Sequence, residues 1–116
     1  MSKINHSSYL RFLNCLSAMD AKKPEKKLDA IETQLLDQVM LGYTQNREIL
    51  VGDLLVLSQI GSQATLHGRI KKLDRLGYIK LVTDSVDQRR KWVQPSKKAL
   101  RHYEKLSQLL EMAVAS

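Results

Sequence analysis

The N-terminal part of the chain has apolar residues at helical spacing. They lie three or four positions apart, at Tyr9, Phe12, Leu13, Leu16 and Met19. This spacing predicts a helix over residues 8–19 with one apolar face, and Ser7 or Ser8 can cap its start. The polar segment 21–27 contains Pro24 and therefore predicts a linker after this helix.

A second helix is predicted to open at residues 28–32. Asp29 is followed three positions later by Glu32, the spacing of a capping box. An apolar stripe continues through Ile31, Leu35, Val39 and Met40, and Gly42 is the expected C-terminal stop. A short extended segment over residues 48–51 and a short third helix over residues 52–57 are predicted to follow.

The pattern changes from helix to strand in the C-terminal half. Ser62 is a strong N-cap candidate for a fourth helix that ends near Leu76 and Gly77. Alternating and β-branched residues predict strands over 78–83 and 91–94, joined by the polar segment 84–90. Pro95 cannot donate a ladder hydrogen bond and so ends the second strand, and Ser96 can cap a final helix.

This order predicts a mainly α fold with a small β-hairpin, within the α+β class. A short helix, a glycine-containing turn, an amphipathic helix and a hairpin form the layout of a winged helix-turn-helix. We predict an N-terminal helix and linker over residues 1–27, the winged helix-turn-helix over 28–95 and a C-terminal helix over 96–116. The two flanking helices are expected to mediate dimerisation.

The predicted fourth helix has two distinct sides. At about 100° per residue, Leu66, Ile70 and Leu73 share the buried side. The opposite side is small near its start and basic near its end, as in a helix whose first residues approach base edges and whose later residues meet phosphates. The predicted DNA contacts are Ser62, Gln63, Ala64, Thr65, His67, Gly68, Lys71, Lys72 and Arg75. For Gly68 a contact with a neighbouring subunit is the alternative, and for His67 a solvated surface position.

The charge of the chain is concentrated in the same region. The 116 residues carry a net charge of +7, and residues 62–102 contain eleven Lys or Arg against three Asp, a net of +8. Such a one-sided field suits a polyanionic partner. The predicted hairpin turn contributes Arg89, Arg90 and Lys91, which are expected at the minor groove of DNA. Asp87 is expected to pair with Arg89 and orient it; a solvated charge run is the alternative.

Residues 61–96, GSQATLHGRIKKLDRLGYIKLVTDSVDQRRKWVQPS, resemble the helix-turn-helix and wing of the MarR (multiple-antibiotic-resistance regulator) transcription factors. Asp87 and Arg89 match the Asp-x-Arg signature of that family's wing. The resemblance extends from Leu28 to about Leu110. It implies groove contacts from Thr65, His67 and Gly68, phosphate contacts from Lys71 and Lys72, and a minor-groove contact from Arg89. The family usually ends in two helices, whereas this chain has room for one. The sequence therefore leaves open whether a small-molecule effector is sensed.

A winged helix of this class is expected to bind a two-fold site as a homodimer. The final helix has a four-three apolar seam, and the first helix has an apolar face. The predicted dimer contacts are Tyr9, Phe12, Leu13, Leu16, Tyr103, Leu106 and Leu110. The alternative is that both helices fold onto their own domain. Cys15 is either an oxidant sensor or, more commonly for a free cysteine, a small apolar residue.

The sequence favours a regulator over an enzyme. It has no glycine-rich phosphate loop, nucleophile elbow or cluster of metal-ligand residues, so no catalytic activity, metal or cofactor is expected. No stretch is apolar enough to cross a membrane and no signal-peptide core is evident, so we expect a cytoplasmic, nucleoid-associated protein. The predicted function is a homodimeric, sequence-specific regulator of transcription that binds double-stranded DNA. The alternative is a winged-helix module that binds protein or RNA.

Overall fold

The computed structural model describes residues 7–23 and 27–115. They form five helices and three strands. The helices are α1 (Ser8–Lys22), α2 (Ala30–Thr44), α3 (Val51–Leu55), α4 (Gln63–Arg75) and α5 (Lys97–Ala115), and the strands are β1 (Ile49–Leu50), β2 (Ile79–Thr83) and β3 (Lys91–Pro95). The mainly helical prediction with a β-hairpin is confirmed. The predicted linker is shorter than expected because α1 continues to Lys22, and residues 24–26 of that linker lie outside the described residues.

Side-chain caps begin the helices where the sequence predicts them. Ser7 accepts a hydrogen bond from the Leu10 N–H at the start of α1. Asp29 Oδ1 accepts from the Glu32 N–H at 2.7 Å, and Glu32 Oε1 accepts from the Asp29 N–H at 2.9 Å. This reciprocal pair is the predicted capping box of α2, and it satisfies two N–H groups that have no partner within the helix.

Ser62 is the N-cap of α4, and its Oγ accepts from the Thr65 N–H at 3.2 Å. The Ser96 Oγ accepts from the Ala99 N–H at 3.2 Å and also donates to the Gly77 carbonyl. Ser96 therefore caps α5 and ties the beginning of α5 to the end of the α4 segment.

The prediction that Gly42 ends α2 is wrong. The helix continues through Gly42 to Thr44, and the chain turns at Asn46, whose φ of 56° lies in the left-handed region. Asn is one of the few non-glycine residues that adopt this conformation readily. Gly42 serves packing instead, because a Cβ at this position would overlap the side chain of Ile49 on β1.

The three strands form one antiparallel sheet in the order β1-β3-β2. The long hairpin pairs Ile79 with Pro95 at one end and Thr83 with Lys91 at the other. The predicted extended segment near residue 49 joins this hairpin, since Ile49 pairs with Val93. The β2–β3 hairpin that forms the wing is therefore part of a three-stranded sheet, in which β3 is paired with β1 on one side and with β2 on the other.

The residues that the structure describes divide into two compact units, one containing residues 28–100 and the other containing α1 and α5 from Arg101 onward. The first unit extends past the predicted boundary at residue 95. The start of α5 belongs to this unit because Ala99 is buried and Lys98 contacts the residues that follow α4. The Lys98 ammonium donates to the Leu76 carbonyl, and it lies 4.4 Å from the centre of the Tyr78 ring. In the second unit, the Arg11 Nε donates to the Ala113 carbonyl at 2.9 Å.

The core of the 28–100 unit lies between α2, α4 and the sheet. The predicted inward-facing residues of α4, Leu66, Ile70 and Leu73, are buried, as are Leu35, Leu36 and Val39 of α2. Glu32 is buried with them and its side chain is fully inaccessible. No helix in the described part of the chain is long and apolar enough to cross a membrane.

Glu32 links α2 to α4 through charge. Its Oε2 lies 2.9 Å from the Lys72 Nζ and 3.5 Å from the Arg69 Nε, and the Arg69 Nε also lies 2.8 Å from Asp29 Oδ2. A buried carboxylate is costly unless such partners compensate its charge. The pairs therefore fix α4 against the N-terminus of α2.

We expect Glu32→Gln to lower the free energy of unfolding by about 2 kcal/mol, because it removes a buried charge from two cationic partners. Urea unfolding measures this change. Glu48→Gln is the matched control, since it makes the same change of charge at an exposed carboxylate of the same unit. Equal stability of the two variants would show that the Glu32 ion pairs contribute nothing.

Candidate nucleic-acid interface

The outer side of α4 is accessible along its whole length. Of the residues predicted to contact DNA from this helix, seven are exposed: Ser62, Gln63, Ala64, His67, Gly68, Lys71 and Arg75. A Cβ built on Gly68 would meet no atom within 4 Å, so this position is open in the protein itself. Ala64, Gly68, Lys71 and Arg75 share the side of the helix opposite the buried Leu66, Ile70 and Leu73, whereas Ser62 and Gln63 are exposed at its N-terminal end.

Thr65 and Lys72 lie at the margin of this side and are only partly exposed. The Thr65 Oγ1 accepts a hydrogen bond from the Ser62 Oγ at 2.9 Å, and the Lys72 ammonium pairs with Glu32. Both residues therefore have structural partners within the protein. A phosphate would have to compete with Glu32 for Lys72, whereas the exposed Lys71 and Arg75 are available from solvent.

Sequence reasoning missed Arg69, which pairs with Asp29 and Glu32. The available signal was its position on α4, three residues before Lys72 and on the side of the helix between the buried and outer sides. This side faces the two carboxylates of the α2 capping box. Two of the basic residues of α4, Arg69 and Lys72, therefore form ion pairs within the protein that hold the helix in place.

The turn of the β2–β3 hairpin holds Arg89 in a defined position. The Asp87 carboxylate accepts from the Arg89 Nε at 3.1 Å, from its Nη2 at 3.2 Å and from its backbone N–H at 3.1 Å. The predicted pairing of these residues is present. The Arg89 hydrogen bonds lower the pKa of Asp87, because they stabilise the charged form of the carboxylate. Arg89 itself has a 90% exposed side chain.

Asp84 organises the same turn and was not singled out by the sequence. Its Oδ1 accepts from the Trp92 Nε1 at 3.0 Å, and its Oδ2 accepts from the backbone N–H groups of Val86 and Asp87 at 3.0 and 2.8 Å. The Arg90 guanidinium lies 5.3 Å from the centre of the Trp92 ring, within the range of a cation–π contact. An Asp at the start of a turn was the available signal, but its pairing with Trp92 depends on the strand register.

A cavity of about 490 Å³ lies between the C-terminal end of α2 and strands β1 and β3. Its walls include Tyr43 and Trp92, and its charged lining is balanced by Arg47 and Glu48. It shares no residue with the predicted DNA contacts. Among the described residues, no group of three or more His, Cys, Asp or Glu side chains is arranged to hold a metal ion.

In the unit formed by α1 and the end of α5, the predicted dimer contacts keep accessible surface. Tyr9, Leu13 and Leu110 are exposed, Phe12, Leu16, Tyr103 and Leu106 are intermediate, and α1 has no buried residue. Cys15 is a free thiol of intermediate exposure. Apolar side chains at helical spacing therefore remain uncovered on both helices of this unit.

Comparison with known proteins agrees with the geometry. No family model and no curated protein matches the chain. A solved MarR protein from Peptoclostridium difficile matches 93% of this chain and 71% of its own length, with 26% sequence identity and a TM-score of 0.58. The chain therefore has a MarR-like winged-helix fold, as its resemblance to that family implied. This similarity supports a place among the winged-helix transcription regulators.

The hydrogen bonds to Asp84 lead to a prediction about pH. Its pKa lies below the ordinary value of 3.8, chiefly because the Asp87 N–H donates to it and further because the Trp92 indole and the Val86 N–H do so. Since the folded pKa is the lower one, the charged carboxylate stabilises the turn above about pH 4, and this contribution is lost as the pH falls through the folded pKa.

Trp92 is the only tryptophan of the chain, so its fluorescence emission reports on this turn. The wild-type emission should stay constant from neutral pH down to about pH 4 and change below it. Asp84→Asn should show altered emission already at neutral pH. Asp87→Asn, which keeps the Trp92 partner, should resemble the wild type there. An unaltered Asp84→Asn spectrum would contradict the assigned role of Asp84.

Proposed function

We propose that the protein is a transcriptional regulator that binds specific sequences in double-stranded DNA as a homodimer. The observation that carries this proposal is the exposed side of α4, which is open at Ala64 and Gly68 and basic at Lys71 and Arg75. A helix of this kind fits the major groove, where small residues allow close approach to base edges. The similarity to a MarR protein supports the same function.

The two parts of the interface have different roles in this proposal. Gln63, Thr65 and His67 at the beginning of α4 contact base edges, while Lys71 and Arg75 bind phosphates. Arg89, Arg90 and Lys91 lie at the minor groove, where a narrow A·T-rich segment has an enhanced negative potential. Lys72 contributes less to phosphate binding, because contact with DNA would loosen its ion pair with Glu32.

The alternative is a winged helix that binds protein or RNA. The exposed side of α4 has cations and small residues in place of large apolar side chains, which favours phosphate over an apolar protein surface. Aromatic residues make up 5% of the sequence, and this low content gives little support to base stacking on single-stranded RNA. Double-stranded DNA is therefore the favoured partner.

Dimerisation is proposed for the unit formed by α1 and the end of α5. Tyr9 and Leu13 are exposed one turn apart on α1, and Leu110 is exposed on α5, so each helix has apolar surface for an interface. A second copy of the chain would cover this surface and place two α4 helices on one DNA site. A two-fold site doubles the number of contacts, which a single small domain needs for firm specific binding.

Selection of binding sites from random duplex DNA tests the function directly. A palindromic consensus is expected, because a two-fold dimer matches a two-fold site. Recovery of no consensus, together with stronger retention of RNA or a protein ligand, would favour the alternative.

Lys71→Ala and Lys72→Ala separate phosphate binding from structure. We expect Lys71→Ala to weaken binding to all duplexes alike and to reduce the slope of log K against log[salt] by about 0.9, without loss of stability. Lys72→Ala removes the nearer of the two cationic partners of Glu32 and should lower the free energy of unfolding by about 1–2 kcal/mol, with a smaller change in the slope. Salt titrations of DNA binding and urea unfolding measure both effects. Identical behaviour of the two variants would contradict this division.

The dimer is tested by introducing a charge into the apolar surface. Leu110 is 49% exposed and Leu41 on α2 is 48% exposed, so Leu41→Lys is a matched control for Leu110→Lys. Sedimentation equilibrium should give the mass of two chains for the wild type and for Leu41→Lys, and a mass shifted towards one chain for Leu110→Lys. A wild-type mass of one chain at micromolar concentration would rule out the proposed dimer.

A further inference from the structure

The tip of the β2–β3 turn presents an apolar side chain. Val86 is 92% exposed, the highest exposed fraction among the large hydrophobic residues of the described chain. Its neighbours in the turn, Ser85 and Gln88, are polar and exposed. A lone exposed valine is common on protein surfaces, so its meaning depends on how the turn holds it and on what surrounds it.

Hydrogen bonds from the Asp84 carboxylate and from the backbone fix the turn that contains Val86. Asp84 Oδ2 accepts from the Val86 and Asp87 N–H groups, and Oδ1 accepts from Trp92. The backbone adds bonds from the Asp84 N–H to the Arg90 carbonyl at 2.9 Å and from the Arg90 N–H to the Asp87 carbonyl at 3.0 Å. These N–H groups are therefore engaged within the turn and are not available to a phosphate, whereas the side chain of Val86 is almost fully accessible.

Val86 lies in the chain between two carboxylates, Asp84 and Asp87, which are engaged within the turn, and three exposed cations follow it. Arg89 has a 90% exposed side chain, and Arg90 and Lys91 are exposed beside it. Burying this tip in an apolar protein surface would also desolvate these charges, which is costly. The minor groove of DNA satisfies both features at once, since phosphates line its two edges and its floor is within reach of a side chain between them.

We propose that Val86 is a specificity-determining residue, which packs against the floor of the minor groove and selects A·T over G·C base pairs. Guanine places its N2 amino group on that floor, whereas A·T pairs expose only acceptors and a C–H group. The methyl groups of Val86 would cover the N2 amino group without offering an acceptor, and an unsatisfied donor is penalised. This inference rests on the proposed DNA-binding function and assigns the wing its own sequence preference.

Inosine separates this contact from every major-groove effect. An I·C pair has the major-groove groups of G·C but lacks the N2 amino group. The test uses the duplex consensus selected by this chain. Hydroxyl-radical footprinting locates the base pairs that contact the wing, because Arg89→Ala removes the protection there. At these pairs, A·T is replaced by G·C or by I·C, and the dissociation constant is measured at fixed salt.

For the wild type we expect G·C to weaken binding about tenfold, within the usual range for one unfavourable base pair, and I·C to restore it to within about twofold. Val86→Ala should reduce the G·C penalty to about threefold or less. Arg89→Ala should weaken binding to all three duplexes, and most strongly to the A·T duplex, where a narrow minor groove gives Arg89 the strongest negative potential. Val114→Ala, which removes the same atoms from an exposed valine on α5, should leave the penalty unchanged.

Circular dichroism and Trp92 emission check that Val86→Ala keeps its fold and its turn. A full G·C penalty in a correctly folded Val86→Ala variant would overturn the proposal, and so would an I·C duplex that binds as weakly as G·C. A change in sedimentation mass with an unchanged penalty would identify the tip as a protein contact and also overturn it. If the wild-type chain bound no duplex specifically, the proposed function itself would fail, which is distinct from loss of the Val86 effect alone.

Discussion

The buried carboxylate of Glu32 is the interaction on which the position of α4 depends. One of its oxygens closes the capping box of α2, and the other faces Lys72 and Arg69 on α4. Apolar packing of Leu66, Ile70 and Leu73 brings the two helices together, but such packing is non-directional. The ion pairs add direction, because they require Arg69 and Lys72 to lie on the side of α4 that faces the Glu32 carboxylate. This orientation decides which residues of α4 face solvent.

This constraint divides the basic residues of α4 into two groups. Arg69 and Lys72 have carboxylate partners inside the protein, whereas Lys71 and Arg75 lie on the exposed side with Ala64 and Gly68. The net charge of the region therefore overstates the charge available to a partner. The same ion pairs hold α4 in one orientation within the protein itself.

In the wing, as in α4, carboxylates hold neighbouring groups in place. Two of the three acidic residues within the basic stretch, Asp84 and Asp87, organise the hairpin turn, and each has a pKa lowered by its hydrogen bonds. Asp87 holds Arg89, and Asp84 holds the turn backbone and Trp92. In α4 and in the wing alike, a few carboxylates position the cations around them. The structure thus combines a positive surface with local order, which a run of solvated cations would lack.

Local signals in the sequence were sufficient for most of the fold. The caps at Ser7, Asp29, Ser62 and Ser96, the periodicity of α4 and the alternation of the strands involve residues close in the chain, so their interactions are encoded by spacing alone. The exposed side of α4 followed from the same periodicity. The Asp87–Arg89 pair was predictable because the two residues are separated by a single position.

What the sequence by itself determined was therefore the identity and order of the elements and the location of the basic surface. Only the tertiary structure decided that Gly42 packs against Ile49 instead of ending α2, that β1 joins the hairpin, and that Lys72 pairs with Glu32 across 40 residues of chain. The contact of Asp84 with Trp92 likewise depends on the register of two strands. The physical reason is that these contacts join residues distant in sequence, and their partners are set by how the elements pack and not by any local pattern.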